Sequence, residues 1–276
     1  MRGARVTEPI LSADDIAIWG RWQRTCEAHA KTRAFARRIE STERTVASAL
    51  ARAPHAMVSW SGGKDSTVMT HLVCVRMGAR IVVVSEKDDL DFPGEEDYVR
   101  RLATEWSLDL RIVRPDASPW AWFVEHAKTL RAGQDIHGRS AGLSKACFYG
   151  VMEAVNAQYD AVLMGLRTEE SRARSNLRAA RGRAYTLKSG RMHVLPIADW
   201  RGLDVLTYAH ANGIDLLPVY RCVGLMHEHE PWNIRKSWWL PGASSWFGQL
   251  TWLRRYYPSL FRRLREVMPQ VDVLAG

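Results

Sequence analysis

The sequence predicts an α/β fold in which a parallel, twisted sheet carries helices on both faces. Short apolar strands alternate with helical segments through the middle of the chain, as expected for parallel strands joined by crossover helices. A turn with two adjacent glycines follows the first strand and precedes a helix. The chain has 276 residues, which is long enough to bury a sizeable core in one or two domains.

The composition is that of a folded, water-soluble protein. Apolar residues make up 46% and charged residues 25% of the chain, close to globular averages of about 45–50% and about 25%. The formal net charge of +9 favours anionic partners, such as nucleotides, nucleic acids or acidic surfaces. The longest apolar run, residues 81–84, is far shorter than the ~20 residues that a membrane span needs. No leader sequence is recognisable, so we expect a cytoplasmic protein without membrane contact.

The order of elements divides the chain into three parts. Strands are expected at residues 57–60, 79–85, 108–114 and 161–164. Helices are expected at residues 12–52, as one long or two short helices with Ser12 as the N-cap, and at 66–77, 95–106 and 144–158. Residues 167–191 are dense in arginine and are interpreted as a mobile basic loop. The three parts are an N-terminal helical extension, a central α/β domain, and a tail rich in Trp and Arg that packs on that domain: residues 1–52, 53–221 and 222–276.

The glycine turn carries the strongest chemical signal. Gly62 and Gly63 let the backbone turn tightly and present bare N–H groups to an anion, and the helix that follows directs its positive end the same way. Lys64 adds a positive charge, and Asp65 is suited to a Mg²⁺ ion that bridges phosphate oxygens. The stretch therefore predicts a phosphate site. Its expected ligands are Ser59, Ser61, Gly62, Gly63, Lys64, Asp65, Ser66 and Thr67.

The same stretch indicates which class of phosphate loop is present. The Walker A spacing GxxxxGK[ST] is absent, which argues against a P-loop NTPase. The letters SGGKDS, between a strand and a helix, closely resemble the PP-loop of the adenine nucleotide α-hydrolase superfamily. That resemblance implies binding of ATP and attack on its α-phosphate.

A second block narrows the resemblance. Residues 165–174 read GLRTEESRAR and resemble the G-x-R-x-x-E-S-x-x-R block of the phosphoadenosine phosphosulfate (PAPS) reductase family. Residues 194–205 resemble the segment PL-x-D-W-x-x-x-D-V of that family, so the likeness covers most of residues 57–220. It implies that Arg167 and Arg172 bind anions and that Lys145 lies near the phosphates. The further residues expected at the nucleotide are Ser85, Glu86, Lys145, Gly165, Arg167, Glu170, Ser171 and Arg172.

The chain departs from the reductases in its cysteines. The reductases end in a mobile tail whose cysteine attacks the sulfate, whereas the last cysteine here is Cys222. Cluster-bearing relatives carry a Cys-Cys pair and a later CxxC, of which Cys147 alone remains, so no iron–sulfur cluster is expected. Reductases also tend to have a degraded phosphate loop. Because this loop is intact, we expect ATP, with Mg²⁺, rather than PAPS as the ligand.

Three functional hypotheses follow. In the first, the chain is an enzyme that cleaves ATP between the α- and β-phosphates, adenylates an acceptor and releases pyrophosphate, with Lys64, Asp65, Arg167 and Arg172 as catalytic residues. In the second, it is a nucleotide-binding accessory of a nucleic-acid modification, phage-defence or type IV CRISPR system that contacts nucleic acid or a ribonucleoprotein through the basic residues 167–191. The third is a true sulfonucleotide reductase. The acceptor and the oligomeric state stay open.

Overall fold

A six-stranded sheet forms the centre of the protein. The computed structural model describes residues 9–127, 147, 149–225, 234, 239–240 and 246–274. The strands follow the spatial order β3-β2-β1-β4-β6-β5, and each neighbouring pair is parallel except β5 and β6. Their bounds are β1 Ala56–Ser59, β2 Val82–Glu86, β3 Leu110–Val113, β4 Ala161–Met164, β5 Ala184–Thr186 and β6 Met192–Val194. The predicted parallel sheet is confirmed, and the three-residue strands β5 and β6 were not anticipated.

Helices connect and flank these strands. Their bounds are α1 Ala13–Ala30, α2 Arg33–Arg52, α3 Lys64–Thr70, α4 Glu95–Glu105, α5 Pro119–Ala127, α6 Tyr149–Asn156, α7 Arg172–Arg181, α8 Gly202–Ala211, α9 Trp246–Tyr256, α10 Pro258–Val267 and α11 Val271–Leu274. Helix α3 continues as a π-helical stretch over His71–Arg76, and short 3₁₀ turns lie at Thr168–Glu170 and Pro218–Arg221. The predicted helices at 66–77 and 95–106 are thus present with shifted ends.

The strands bury side chains on both faces of the sheet. Successive residues of a strand point to opposite faces. Accordingly, Met57 of β1 packs in one apolar cluster and Val58 in the other. The smaller cluster includes Val155 of helix α6, and the larger one extends from helix α1 to the C-terminal helices. Helices therefore cover both faces, as the sequence predicted.

Strand β1 marks the point where the chain changes direction across the sheet. From β1 the chain builds β2 and then β3 on one side, and it returns with β4 on the other side of β1. In open α/β sheets, ligands bind in the crevice beyond the carboxyl ends of two such strands. The glycine turn follows β1 and Gly165 follows β4, so the topology places both at this crevice.

Residues 12–52 form two helices rather than one. Ser12 caps α1 by accepting a hydrogen bond from the N–H of Asp15, as predicted, and Thr32 caps α2 in the same way through the N–H of Phe35. Both helices are tied to α8 by Asp204, whose carboxylate binds His29 at 2.7 Å and Arg38 at 3.1 Å. Asp204 is the second aspartate of the family-like segment in residues 194–205, and these contacts give it a structural role.

Asp15 is a buried carboxylate that joins three parts of the chain. It is 0% exposed, and its Oδ1 atom accepts hydrogen bonds from the N–H groups of Val223 and Gly224 and from the hydroxyl of Tyr256. Its Oδ2 atom accepts from the N–H and hydroxyl of Ser12. Burial alone would raise the pKa of Asp15, but these hydrogen bonds outweigh it and lower the pKa below the usual 3.8.

We expect Asp15→Asn to lower the free energy of unfolding by about 2 kcal/mol near neutral pH. The N–H groups of the new amide would face the N–H and hydroxyl of Ser12, which are themselves hydrogen-bond donors. A lowered pKa stabilises the fold above the usual pKa, and that contribution is lost as the pH falls through the native value. Urea unfolding from neutral pH down to about pH 3 should therefore show a steeper loss for wild type than for the variant. The exposed neighbour Asp14 provides the control Asp14→Asn. Equal slopes for wild type and Asp15→Asn would contradict the assignment.

The prediction that residues 167–191 form a loop is wrong. They contain helix α7 and strand β5, and Ser171 caps α7 by accepting from the N–H of Arg174. Carboxylates neutralise several of the arginines: Arg174 pairs with Glu170, and Arg178 makes two 3.1 Å bonds to Asp199. Ion pairs and an N-cap thus stabilise helix α7, which the density of arginines in the sequence did not indicate.

Trp239 and Trp252 of the C-terminal segment have defined packing partners. Trp239 is buried, and its ring lies 5.2 Å from that of Trp120 in α5. The indole N–H of Trp252 donates to the carbonyl of Cys222. These contacts support core packing for the tryptophans concerned. Among the described residues, no helix combines the length and apolar content needed to cross a bilayer.

Candidate functional site

The glycine turn after β1 has the tight geometry predicted for it. Gly62 has a φ of +79°, in the left-handed region that favours glycine. A Cβ atom at Gly62 would lie 3.2 Å from Val99 and 3.3 Å from a carboxylate oxygen of Glu95, both in α4. The turn is therefore packed against α4 as well as bent. Gly63 is the last residue before α3.

The hydroxyl groups of the turn mainly hold its shape. The hydroxyls of Ser61 and Ser66 lie 3.0 Å apart, and the Ser66 hydroxyl also donates to the Gly63 carbonyl. The hydroxyl of Thr67 accepts from the indole N–H of Trp60 at 2.9 Å, and Thr67 is completely buried. The Thr67 side chain therefore stabilises the loop from its buried side.

The first turn of α3 has two N–H groups that remain available to an anion. The N–H of Lys64 donates to the hydroxyl of Tyr220 at 2.8 Å, and the N–H of Thr67 donates to Gly63. Within the described part of the chain, the N–H groups of Asp65 and Ser66 have no acceptor. The first N–H groups of a helix lack partners inside the helix and attract anions. The sequence did not predict that Tyr220 would occupy the Lys64 amide.

Lys64, Asp65 and Arg167 form a buried charged cluster beside the loop. The Lys64 ammonium group donates to Asp65 at 3.0 Å and to the carbonyl of Ile234 at 2.9 Å, and the side chain is 1% exposed. Arg167, 3% exposed, donates to the other oxygen of Asp65 and also pairs with Glu169. Two cations thus hold one carboxylate, and with Glu169 included the four groups carry no net charge.

Gly165 brings strand β4 directly against the loop. A Cβ atom at this position would lie 2.7 Å from both the Cα and the N of Ser66, a distance that real Cβ atoms essentially never show. The glycine therefore allows the backbone after β4 to touch the first turn of α3. This contact also explains how Arg167 reaches Asp65.

The remaining predicted residues after β4 lie at the start of α7. Arg172 is exposed, Ser171 caps the helix, and Glu170 binds Arg174 and the N–H of Arg167. Glu170 and Ser171 thus have structural contacts, and the Arg172 side chain is open to solvent.

The predicted residues at the end of β2 and in β1 have little access to a ligand. Ser85 is completely buried, and Glu86 is half-buried at the end of the strand. Ser59 ends β1 between Val84 of β2 and Met164 of β4. Lys145 lies outside the described residues.

Lys87 is a site residue that sequence reasoning missed. It is 1% exposed, and its ammonium group binds Glu95, Asp91 at 3.3 Å, and the carbonyl of Ser61 in the loop at 3.3 Å. Burial alone would lower the pKa of Lys87, but Glu95 and then Asp91 outweigh it and raise the pKa. Lys87 thus anchors the start of the phosphate loop. The available signal was a lysine directly after a buried strand at the predicted ligand edge.

The acidic groups of the site fit a Mg²⁺ ion only together with a nucleotide. The described residues contain no group of three or more potential metal ligands. Proteins commonly hold Mg²⁺ through one or two carboxylates and the phosphates of the substrate. Among the described residues, Asp65 is the carboxylate that contacts both Lys64 and Arg167 beside the loop, so it is the candidate protein ligand of Mg²⁺.

The fold and loop together define a class of protein: a parallel α/β domain with a glycine loop of the PP-loop type. A family model described as phosphoadenosine phosphosulfate reductase domain matches residues 55–227, which is more than half of the chain. The chain therefore belongs to the PAPS reductase domain family. The predicted resemblance is confirmed.

PAPS reductases are among the curated proteins with detectable sequence similarity to this chain. The enzyme from Buchnera aphidicola is 27% identical over 189 residues, which covers 65% of this chain and 71% of that protein. The enzyme from Yersinia pseudotuberculosis is 28% identical over 182 residues, covering 64% of this chain and 71% of that protein. Both alignments leave about a third of this chain outside the similarity.

Solved structures support the same fold. A PAPS reductase from Candida auris, in complex with phosphate, matches with a TM-score of 0.51 and 15% identity, covering 75% of this chain and 90% of that one. FMN adenylyltransferase from Candida glabrata, in complex with FAD and inorganic pyrophosphate, matches with a TM-score of 0.50 and 12% identity, covering 77% of this chain and 71% of that one. At these identities the likeness concerns the fold alone.

Proposed function

We propose that this chain binds ATP at the loop of residues 61–66 and transfers its adenylyl group to an acceptor, with release of pyrophosphate. The observation that carries the proposal is the pair of N–H groups at Asp65 and Ser66, which lack acceptors in the described structure and lie beside the buried cations Lys64 and Arg167. Such a site suits an anion with several oxygens. The solved FMN adenylyltransferase with bound pyrophosphate supports this chemistry as a member of the same fold.

The reaction needs positioning and charge neutralisation more than covalent catalysis. An oxygen of the acceptor forms a bond to the α-phosphorus, and the bond from that phosphorus to the oxygen bridging to the β-phosphate breaks. Pyrophosphate leaves with the electron pair, and the acceptor proton passes to solvent. Lys64 and Arg167 would offset the negative charge that develops, and exposed Arg172 would bind the phosphates that face solvent.

Mg²⁺ is proposed as a companion of the triphosphate. When bound, it would neutralise charge on the phosphate oxygens. Asp65 is the residue that would hold it, in exchange for one of its contacts with Lys64 or Arg167. Removing the metal with a chelator should therefore weaken ATP binding more in wild type than in Asp65→Asn, which calorimetric titration measures directly.

The cysteines argue for adenylyl transfer over sulfonucleotide reduction. All four are free thiols, and Cys26, Cys147 and Cys222 are buried. Burial raises the pKa of the half-buried Cys74 to about 12 and raises that of Cys222 as well. Thiol nucleophiles react as thiolates, so raised pKa values disfavour attack on a sulfate group. We expect no thioredoxin-dependent release of sulfite from PAPS.

The products formed from ATP test the proposed reaction. With Mg²⁺ and water as the acceptor, the protein should slowly yield AMP and pyrophosphate rather than ADP and phosphate. We expect Arg172→Ala to raise the KM for ATP about tenfold, because it removes a charge-assisted contact. Separation of the nucleotides by chromatography, together with a pyrophosphate assay, measures both.

A control variant tests whether the change in KM depends on a charge at the site or only on the net charge of the protein. Arg80 is exposed and precedes β2, at the amino ends of the strands and away from the loop. Arg80→Ala should leave the KM for ATP unchanged. Formation of ADP, or no cleavage and no ATP binding by wild type, would refute the proposed function.

A further inference from the structure

A basic groove lies between helix α2 and edge strand β5. The groove encloses about 410 Å³. Its lining residues are Ser41, Arg44, Thr45, Ser48, Ala49, Arg52, Arg183 and Ala184. Those from α2 recur at intervals of three and four residues, so they lie on one face of the helix. From residue 41 to residue 52 that face is about 16 Å long at 1.5 Å per residue.

Arg183 forms the opposite wall of the groove. Its guanidinium donates to the Ser41 hydroxyl at 2.8 Å, which ties β5 to α2. Asp199 lies 3.5 Å from Arg183 but makes its two shorter bonds to Arg178. Burial lowers the pKa of Arg183, Asp199 raises it, and the charges of Arg178 and Arg44 lower it further. Positive charges thus face one another across the groove.

The other two arginines of the groove have no counter-ion among the described residues. In the part of the chain that the structure describes, neither Arg44 nor Arg52 forms an ion pair, and both side chains are exposed. Most arginines of residues 167–183 are paired with carboxylates, as described above. The unpaired guanidinium groups of Arg44 and Arg52, together with Arg183 and the hydroxyl groups of the groove, are suited to a chain of phosphates.

The lining also indicates the kind of partner. Protein interfaces depend on buried aromatic or aliphatic anchors. Among the described lining residues, Ala49 and Ala184 alone have apolar side chains. Serine and threonine hydroxyls and guanidinium groups are the usual contacts of a nucleic-acid backbone. The observations therefore favour nucleic acid over an acidic protein surface.

We propose that the α2–β5 groove binds the phosphodiester backbone of a single-stranded nucleic acid, without sequence preference, through Arg44, Arg52 and Arg183. The groove is separate from the phosphate loop, because β5 lies three strand positions from β1, about 14 Å at the usual strand spacing. The binding is therefore an activity beyond the proposed nucleotide chemistry and does not depend on it.

Fluorescence anisotropy with a labelled mixed-sequence oligonucleotide, about 20 nucleotides long, tests this proposal. Three phosphate contacts predict a slope of about −2 for the logarithm of the affinity against the logarithm of the salt concentration. The double variant Arg44→Ala/Arg52→Ala should bind about tenfold more weakly at low salt and reduce the slope to about −0.7. Unfolding curves establish that both proteins are folded.

The controls distinguish charge, site and ligand source. Arg80→Ala/Arg111→Ala removes the same charge near the far side of the sheet, Arg111 lying on the opposite edge strand β3, and should bind like wild type. Saturating ATP should not displace the oligonucleotide. Equal affinity and slope in wild type and the groove variant, or displacement by ATP, would overturn the proposal. Loss of inorganic polyphosphate binding with oligonucleotide binding intact would assign the groove to free polyphosphate and would also overturn it.

Discussion

Gly165→Ala is expected to weaken ATP binding about hundredfold, because the new methyl group would lie 2.7 Å from the Cα and N of Ser66. Backbone atoms cannot swing aside as a flexible side chain does, so the first turn of α3 has to shift away from β4. A displacement of about 1 Å at a binding group is enough for a loss of this size. The shift would move the N–H groups of Asp65 and Ser66, on which the proposed phosphate contact depends. Calorimetric titration with ATP measures the loss.

A second glycine provides the matched control. Gly20 lies inside helix α1, and a Cβ atom there would meet nothing within 4 Å. Gly20→Ala should leave ATP binding unchanged and stabilise the helix by up to about 1 kcal/mol. Circular dichroism of both variants separates a local shift from unfolding. If folded Gly165→Ala binds ATP as tightly as wild type, the loop backbone is not the phosphate contact.

The parts of this site that the sequence predicted are those determined by local backbone chemistry. Gly62 occupies a positive φ, Ser12 caps a helix, and β4 spans the residues expected for it, because each feature depends on a few adjacent residues. The family resemblance implied only that Gly165 lies at the nucleotide site. The physical reason for this glycine, a backbone contact with Ser66, needed the structure.

The parts that the sequence did not predict depend on contacts between distant residues. The Tyr220 hydroxyl accepts a hydrogen bond from the N–H of Lys64, although the two residues are 156 positions apart in the sequence. Nothing in the sequence near either residue indicates this pair. The strands β5 and β6 have three residues each, too few for a periodic pattern. Helix α7 was not predicted because its many arginines suggested a loop, although Ser171, a typical N-cap residue, was a usable signal.

Lys87→Met is expected to lower the free energy of unfolding by about 3–5 kcal/mol, because it leaves a buried carboxylate without its cation. Glu95 is 0% exposed and pairs with Lys87 inside the protein. The exposed pair of Arg100 and Glu96 lies in the same helix, α4, and Arg100→Met should cost less than about 1 kcal/mol. Urea unfolding of the two variants measures the difference.

A double variant separates stability from function at the same position. Lys87→Met/Glu95→Leu removes both charges of the pair, and such apolar replacements often restore much of the lost stability. The carbonyl of Ser61 nevertheless loses its ammonium donor, so we expect the refolded double variant to bind ATP more weakly than wild type. Wild-type ATP affinity in that variant would limit Lys87 to a structural role. A double variant no more stable than Lys87→Met would show instead that Asp91 still requires the buried cation.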